Sequence, residues 1–541
     1  MPAHNQVYDY IIVGAGSAGC VLAARLTEDG GKTVCLIEAG PSDRSIFIKM
    51  PAALTIPIES KTYNWGYVTG PEPQLEDRMI GQARGRGLGG SSSINGMVYV
   101  RGHPGDYDGW ANYGLEGWSF ADCLPYFKKM ENFEGGRDPN RGGSGPLRVT
   151  RSRAAHSFYD AFLEAGTQFG LKQAEDYNSR DIEGLHVTQA TIYNGTRQSA
   201  ATAWLHPNTG RPNLTVLTGW RVDRLVQGKT LVEGVALRKG RATMTLRGGR
   251  ETILCAGTIG TPHLLLLSGI GPADQLRGLD IPVAHDRPGV GENLQDHFVA
   301  SLMFSSSGVR SVASDLSMIN RAKLGLQWLL TRKGLGGTSF FEVGAFFKSA
   351  PDQPYANMQH EFLPFRADFQ AGKVRIDHGY QYFLSQMRPH SRGWLRLKSA
   401  NPDQHPEIVF NYLADPRDIK EMMDGLIMTR EMARQAAWQK RGAQDLQPGP
   451  AVQTEAEMLA WMRHVGNTEH HPVGTCRMGS DGMAVTDDQG LVHGVDGLRI
   501  VDGSILPAIP TANVNAPILM VAEKIADRIR GRMPLAQQHL V

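Results

Sequence analysis

The feature that most restricts this chain is a glycine pattern near its start, Gly14-Ala15-Gly16-Ser17-Ala18-Gly19. An apolar, β-rich run from Tyr8 to Val13 leads into it. A helix-forming segment from Ala18 to Leu26 leaves it, and a second apolar run covers Thr33 to Ile37. Strand, glycine turn, helix and second strand form a βαβ unit, which commits the chain to a doubly wound α/β sheet. Gly14 permits the tight turn, Gly16 lets backbone N–H groups approach a pyrophosphate, and Gly19 lets helix and strand pack closely. The helix N-terminus, at Ser17 and Ala18, then faces the negative charge. Glu38, with Ala39 after it, closes the second run nineteen residues beyond Gly19 and can accept hydrogen bonds from a ribose diol. The pattern points to an ADP-bearing dinucleotide and does not separate FAD from NAD.

The composition fits a folded enzyme that needs such a cradle. Glycine accounts for 63 of 541 residues, well above the usual ~7%. Charge is nearly balanced, 56 basic against 54 acidic side chains, so neither nucleic acid nor an anionic surface is expected as principal partner. The five cysteines are scattered without CxxC spacing, which argues against a disulfide framework and against a zinc site, and no metal is expected. The N-terminal run reads as a strand and not as a signal peptide, and no apolar stretch reaches the ~18 residues of a membrane span. A cytoplasmic protein is expected, with peripheral membrane contact left open and oligomeric state unassigned.

Further along, residues 80–105 are rich in Gly and Ser without a clear period and read as loop and extended chain. Strand-like runs return at Leu214–Leu217, Val232–Leu237 and Thr252–Cys255, the last followed by an apolar segment, Thr261–Leu267. Residues 300–460 change character, with amphipathic helices near 321–331 and 418–435 and a β-like piece at Trp394–Leu397. From residue 466 the chain is dense in Gly, Asn and Pro before a closing helix, Ala516 to Arg530.

Two stretches carry a resemblance. One is Gly85-Arg-Gly-Leu-Gly89-Gly90-Ser91-Ser92-Ser93-Ile94-Asn95-Gly96, which runs on through Met97 and Val98 to Tyr99. The other is Gly257-Thr258-Ile-Gly-Thr261-Pro262-His-Leu264-Leu265-Leu-Leu-Ser268-Gly269-Ile270-Gly271, preceded by Ala256. Both match the signature patterns of the glucose–methanol–choline (GMC) oxidoreductases. The similarity extends from about residue 7 to residue 530, through PGVGENLQDH at 288–297 and HPVGTCRMG at 471–479. It is strongest toward the bacterial choline dehydrogenase and alcohol dehydrogenase branch. The resemblance implies FAD, held non-covalently because Ile94 stands where some relatives attach the flavin to a histidine. It implies a discontinuous Rossmann-like FAD lobe (1–153, 196–300 and 465–541) and an α+β substrate lobe (154–195 and 301–464).

It also implies roles. Alcohol oxidation by flavin needs a base beside the hydroxyl, and an imidazole, with its ordinary pKa of about 6.5, suits that task. Among 17 histidines, the His-Pro of Glu469-His470-His471-Pro472 matches the family's catalytic histidine, which assigns the base to His471. His470 is expected along the pocket or flavin edge and is the alternative base. The family's second active-site position is assigned to Asn515, which also opens the last helix with Ala516 and Pro517; the positive end of that helix would face the flavin. Asp502-Gly503 resembles the pair near the flavin phosphates and ribityl chain, Val222 the position whose backbone meets adenine, and Trp65 a wall of the flavin site. Glu342 matches the glutamate that pairs with a trimethylammonium in choline-oxidising relatives. Glu361 replaces a second active-site histidine, with His360 one place earlier and so on the other face of a strand. Choline itself is therefore put in doubt. The reaction implied is oxidation of a primary alcohol to the aldehyde, with electrons passed to a quinone, another acceptor or oxygen. A flavin-containing lyase is the reading from another class.

Overall fold

The computed structural model describes residues 6–180, 182–228, 231–370 and 373–541. Among these, two seven-stranded sheets organise the chain. In the first, Val7–Val13 lies between Val34–Glu38 and Ala242–Leu254, parallel to both, and Leu214–Thr218 extends the sheet beyond Val34–Glu38. Val232–Lys239 and Arg221–Gln227 continue it antiparallel, and Leu498–Ile500 joins the end of Ala242–Leu254 in parallel. Parallel strands covered on both faces must be apolar throughout, and Ile11, Ile12, Cys35, Leu36 and Leu254 are all fully buried. The helix Ser17–Leu26 lies against the closing helix Asn515–Ile529, whose Leu519, Ala522 and Ile525 are buried. A bidentate pair, Arg25 to Glu523 at 2.8–3.0 Å, joins the two.

The strand expected at Thr252–Cys255 starts ten residues earlier, at Ala242. Its first half belongs to an antiparallel ribbon with one face in solvent, so polar residues interrupt it and hide it from an apolar search. A helix after it opens at Gly257 and takes in the apolar segment Thr261–Leu267.

The second sheet is antiparallel, in the order Ala443–Gln447, Phe298–Ser306, Tyr380–Gln386, Met358–Leu363, Val343–Phe347, Gly184–Val187, with Asn467–Thr468 also paired to Phe298–Ser306. Its strands alternate strictly. Phe362, Tyr380 and Tyr382 point to a core where Tyr380 stacks on Trp438 at 3.9 Å. Glu361 and Ser301 both oppose Phe383 across the ladder, and Val299 opposes Ser385. That second face looks into the cavity described below. The predicted helices appear as Met318–Thr331 and Pro416–Ala433. No helix of the described residues is long and apolar enough to cross a membrane.

Candidate active site

A cavity of about 1000 Å³ reaches from the glycine turn of the first sheet to the polar face of the second. At one end it is lined by Gly14, Gly16, Ser17, Ala18, Glu38 and Ala39, and near them by Val222. Side chains are excluded here by contact. A Cβ on Gly14, whose φ is +102°, would fall 2.4 Å from the Cys255 carbonyl oxygen, and one on Gly90 would fall 2.7 Å from the Cα of Gly16. The two glycine motifs therefore touch. The helix N-terminus at Gly16 has no side-chain cap and no acid in its first turn, which leaves N–H groups for an anionic ligand.

Glu38 and Asp502 line the same cavity but are already committed. Glu38 accepts from the backbone N–H groups of Ala15, Gly40 and Gly87 at 2.8–3.0 Å. Asp502 accepts from Gly257 N–H and the Thr261 hydroxyl with one oxygen and from Ser504 N–H and hydroxyl with the other, at 2.6–2.8 Å. Of the four oxygens only Glu38 Oε2, which accepts from Ala15 alone, keeps a lone pair for a ligand hydroxyl; the first duty of both carboxylates is to hold the cradle. Further along, Trp65, Gly90, Asn95, Gly96, Met97, Val98, Ala256, Gly257 and Gly503 form walls of small side chains and backbone. This long, flat-walled cavity with an open helix N-terminus fits FAD, whose phosphates would meet Gly14–Ala18 and whose ring would lie toward Asn95–Val98.

Four residues of the motifs named above, Gly19, Gly89, Ala516 and Pro517, stand behind the wall. Gly19 is a packing glycine, since its Cβ would meet the Gly14 carbonyl oxygen at 1.9 Å. Gly89 takes a left-handed φ of +86° and donates its N–H to Ala15 O at 2.8 Å. Ala516 and Pro517 are buried inside the closing helix, and its N-terminus reaches the cavity through Asn513, Val514 and Asn515 instead.

At the far end the loop Thr468–Pro472 presents its side chains. Asp296, 3% exposed, accepts from His471 N–H at 2.7 Å, the Thr468 hydroxyl at 2.5 Å and the Tyr412 hydroxyl at 2.6 Å. The Thr468 hydroxyl in turn accepts from His470 N–H at 2.8 Å, and His470 sits at a left-handed φ of +61°. Arg84 donates to the His470 carbonyl, and burial lowers its guanidinium to about 10. A strained non-glycine residue held by this many bonds marks a loop fixed for a purpose.

The imidazole of His471 is oriented by partners on both sides. His297 is fully buried, and its Nε2 lies 3.1 Å from the Met387 carbonyl, which can only accept, so Nε2 carries the proton. The bare Nδ1 of His297 then accepts from Nδ1–H of His471 at 3.1 Å. That leaves a lone pair on Nε2 of His471, facing the Asn513 amide nitrogen at 3.4 Å. Asn513 donates its other N–H to Glu361 Oε1 at 2.9 Å. Burial holds all three imidazoles in the neutral form: His297 and His470 are lowered to about 3, and His471 lies well below its ordinary value, with His297 and Arg84 adding to burial.

Two expectations are corrected by this geometry. Asn513, and not Asn515, stands beside His471; Asn515 opens the helix and its amide oxygen accepts from the Ser17 hydroxyl at 2.7 Å. Glu342 does not line the cavity. Its carboxyl is buried against the backbone N–H groups of Ala154 and Ala155 near Arg153, with burial raising its pKa, so it anchors that loop. Glu361 does face the cavity, whereas His360 points the other way and meets the Thr429 hydroxyl at 2.8 Å. Sequence reasoning gave no role to His297, Asp296 or Glu469, although all three lie inside or beside the segments that carry the resemblance.

Comparison with known proteins agrees with this architecture. Profiles of GMC oxidoreductase match residues 8–299 and 389–522. An oxygen-dependent choline dehydrogenase of Paraburkholderia phymatum is 44% identical over 535 residues, covering 98% of this chain and 94% of that protein. The protein of the same name from Burkholderia vietnamiensis is 44% identical over 541 residues, 99% and 96% of the two chains. Among solved structures, pyridoxine 4-oxidase from Mesorbium loti superposes with a TM-score of 0.88 at 30% identity, covering 97% of this chain and all of that one (100%). Formate oxidase from Aspergillus oryzae gives 0.90 at 25%, with 98% and 99% covered. The chain therefore belongs to the GMC oxidoreductase family, as an FAD-dependent oxidoreductase that acts on an alcohol.

Proposed function

We propose that the chain oxidises a primary alcohol to the aldehyde with His471 as the base. The observation that carries this reading is the lone pair on His471 Nε2, fixed by the chain Met387 O, His297, His471 and turned into the cavity beside Asn513. A hydroxyl placed there donates its proton to Nε2 and accepts from the Asn513 amide. The neutral imidazole takes that proton, and the Asn513 amide keeps the substrate oxygen in line. Bound FAD supplies the acceptor for the hydride that leaves the carbinol carbon. Asp296 and Arg84 keep the loop of His470 and His471 in place during the transfer. His470 and Glu361 bound the substrate side.

A quinone or another acceptor is the expected destination of the electrons. Oxygen is the second reading, favoured by the names of the Paraburkholderia and Burkholderia relatives. Hydrogen peroxide released in step with aldehyde assigns oxygen; turnover that requires an added quinone assigns the other. For the base, His471→Gln is expected to bind FAD normally and to lose turnover by a factor on the order of 10² or more. Turnover within a few-fold of the parent enzyme defeats the assignment.

A further inference from the structure

The substrate end of the cavity holds two carboxyl groups with no cationic partner. Glu361 accepts one hydrogen bond, from Asn513 to Oε1. Glu469 also accepts one, from the Ser385 hydroxyl to Oε1 at 2.5 Å. No lysine, arginine or histidine forms an ion pair with either among the described residues, and no side chain or backbone N–H there binds the second oxygen of either. Both side chains line the cavity beside His471, and Glu361 is only 8% exposed. Other buried acids of this molecule are either ion-paired, as Glu131 with Arg101 and Arg141 and Glu523 with Arg25 and Lys129, or hold several hydrogen bonds, as Glu38, Asp502 and Asp296 do. Burying an acid with so few partners is costly, and a site that keeps two carboxyl groups beside a catalytic base, each with an oxygen that no donor reaches, is built for a ligand that supplies the donors.

We infer that Glu361 and Glu469 form the recognition site for a protonated amine carried by the alcohol substrate, one that retains N–H donors. This rests on the reading of His471 as base and names the substrate class of the same site. The spacing suits a short amino alcohol. Asn513 Nδ2 lies 3.4 Å from His471 Nε2 and 2.9 Å from Glu361 Oε1, so base and carboxyl are separated by at most the sum of those two contacts. A hydroxyl at the base and an ammonium at the carboxyl are then joined by a short carbon chain. The chemistry selects N–H over N–methyl, because each carboxyl offers an oxygen without a donor and each oxygen takes a charge-assisted hydrogen bond. Phe383, opposite Glu361 on the ladder, and Phe341 close the side of the pocket with apolar surface for the carbon chain. Burial raises both carboxyl pKa values, and the neighbouring Glu361 raises that of Glu469 further, a penalty that an ammonium ion beside them removes.

The test uses the FAD-loaded enzyme and three alcohols: 3-aminopropan-1-ol, its neutral isostere butan-1-ol, and choline. The amine is expected to have a kcat/KM at least tenfold above butan-1-ol and above choline. Propylammonium, which lacks the hydroxyl, is expected to compete with it. Glu469→Gln and Glu361→Gln should each cut the amine-to-butanol ratio of kcat/KM about tenfold, with the loss in KM. A preference for butan-1-ol or choline, a ratio unmoved in both variants, or no competition by propylammonium overturns the inference. Competition in the parent enzyme decides the matter even if a variant fails to accumulate. Oxidation of butan-1-ol without preference for the amine sinks this inference alone; no oxidation of any alcohol sinks the base assignment beneath it.

Discussion

The two ends of the cavity use their polar groups in opposite ways. At the dinucleotide end the acids are occupied by the protein itself: Glu38 holds three backbone N–H groups and Asp502 holds two N–H groups and two hydroxyls. At the substrate end, Glu361 and Glu469 each hold one donor, and Nδ1 of His470 has no partner among the described residues. The first end is a finished mould, in which a change damages the fold or the cofactor site. The second is left unfinished until a substrate arrives, so changes there alter chemistry and selectivity while the protein stays intact.

The largest effect expected from this contrast is at Gly19. Gly19→Val places side-chain carbon into the Gly14 carbonyl, and no soluble yellow protein is expected on purification. Recovery of a normally folded flavoprotein would show that the mould tolerates far more than its contacts allow. Next comes His297, a positioning residue that meets no substrate. His297→Ala removes the acceptor for His471 Nδ1–H, releases the imidazole to its other tautomer and opens the site to water. A loss in kcat of about tenfold is expected, a part of the roughly 10²–10⁴-fold that a general base contributes. Burial keeps His471 neutral and able to act below its ordinary pKa, so the parent acid limb lies below pH 6.5, and the variant's limb should move up toward that value. His297→Gln, which can accept from His471 and donate to Met387, should restore most of both; an unmoved limb or no rescue by glutamine removes the tautomer argument. The smallest effect is at Glu38. Glu38→Gln replaces an acceptor of three N–H groups by one that can accept on a single oxygen, and FAD retention through gel filtration should drop several-fold while kcat of the loaded fraction is unchanged. Full retention would separate Glu38 from the cradle.

What could be read from the sequence divides along the same line. The dinucleotide end is local: Val7–Val13, the glycine turn, Ser17–Leu26 and Glu38 lie within forty residues, and each shows itself through glycine placement or apolar period. The substrate end is assembled from distant segments whose directions no spacing records. In Asn513-Val514-Asn515 the two amides are equivalent as letters. The helix starts at Asn515 and ties that side chain to Ser17, which leaves Asn513 on the preceding turn to meet His471. Glu342 and Glu361 both precede or sit in strands, but only the ladder places Glu361 opposite Phe383 on the cavity face. His297 ends a recognisable segment and Glu469 abuts the base, yet their use depends on Met387 and Ser385, each more than eighty residues away in sequence. The strands Phe298–Ser306 and Tyr380–Gln386 escaped notice because polar residues on the cavity face break their apolar run.

The central claim is that an imidazole fixed by His297 and Asn513 deprotonates an alcohol beside bound FAD. Anaerobic mixing of the purified holoenzyme with excess primary alcohol, followed near 450 nm (the region of roughly any oxidised flavin), tests it without reference to the electron acceptor. Rapid bleaching by the parent protein is predicted, slowed on the order of 10² or more in His471→Ala with the flavin still bound. Bleaching at the same rate in both proteins, or none with any alcohol offered, would contradict it.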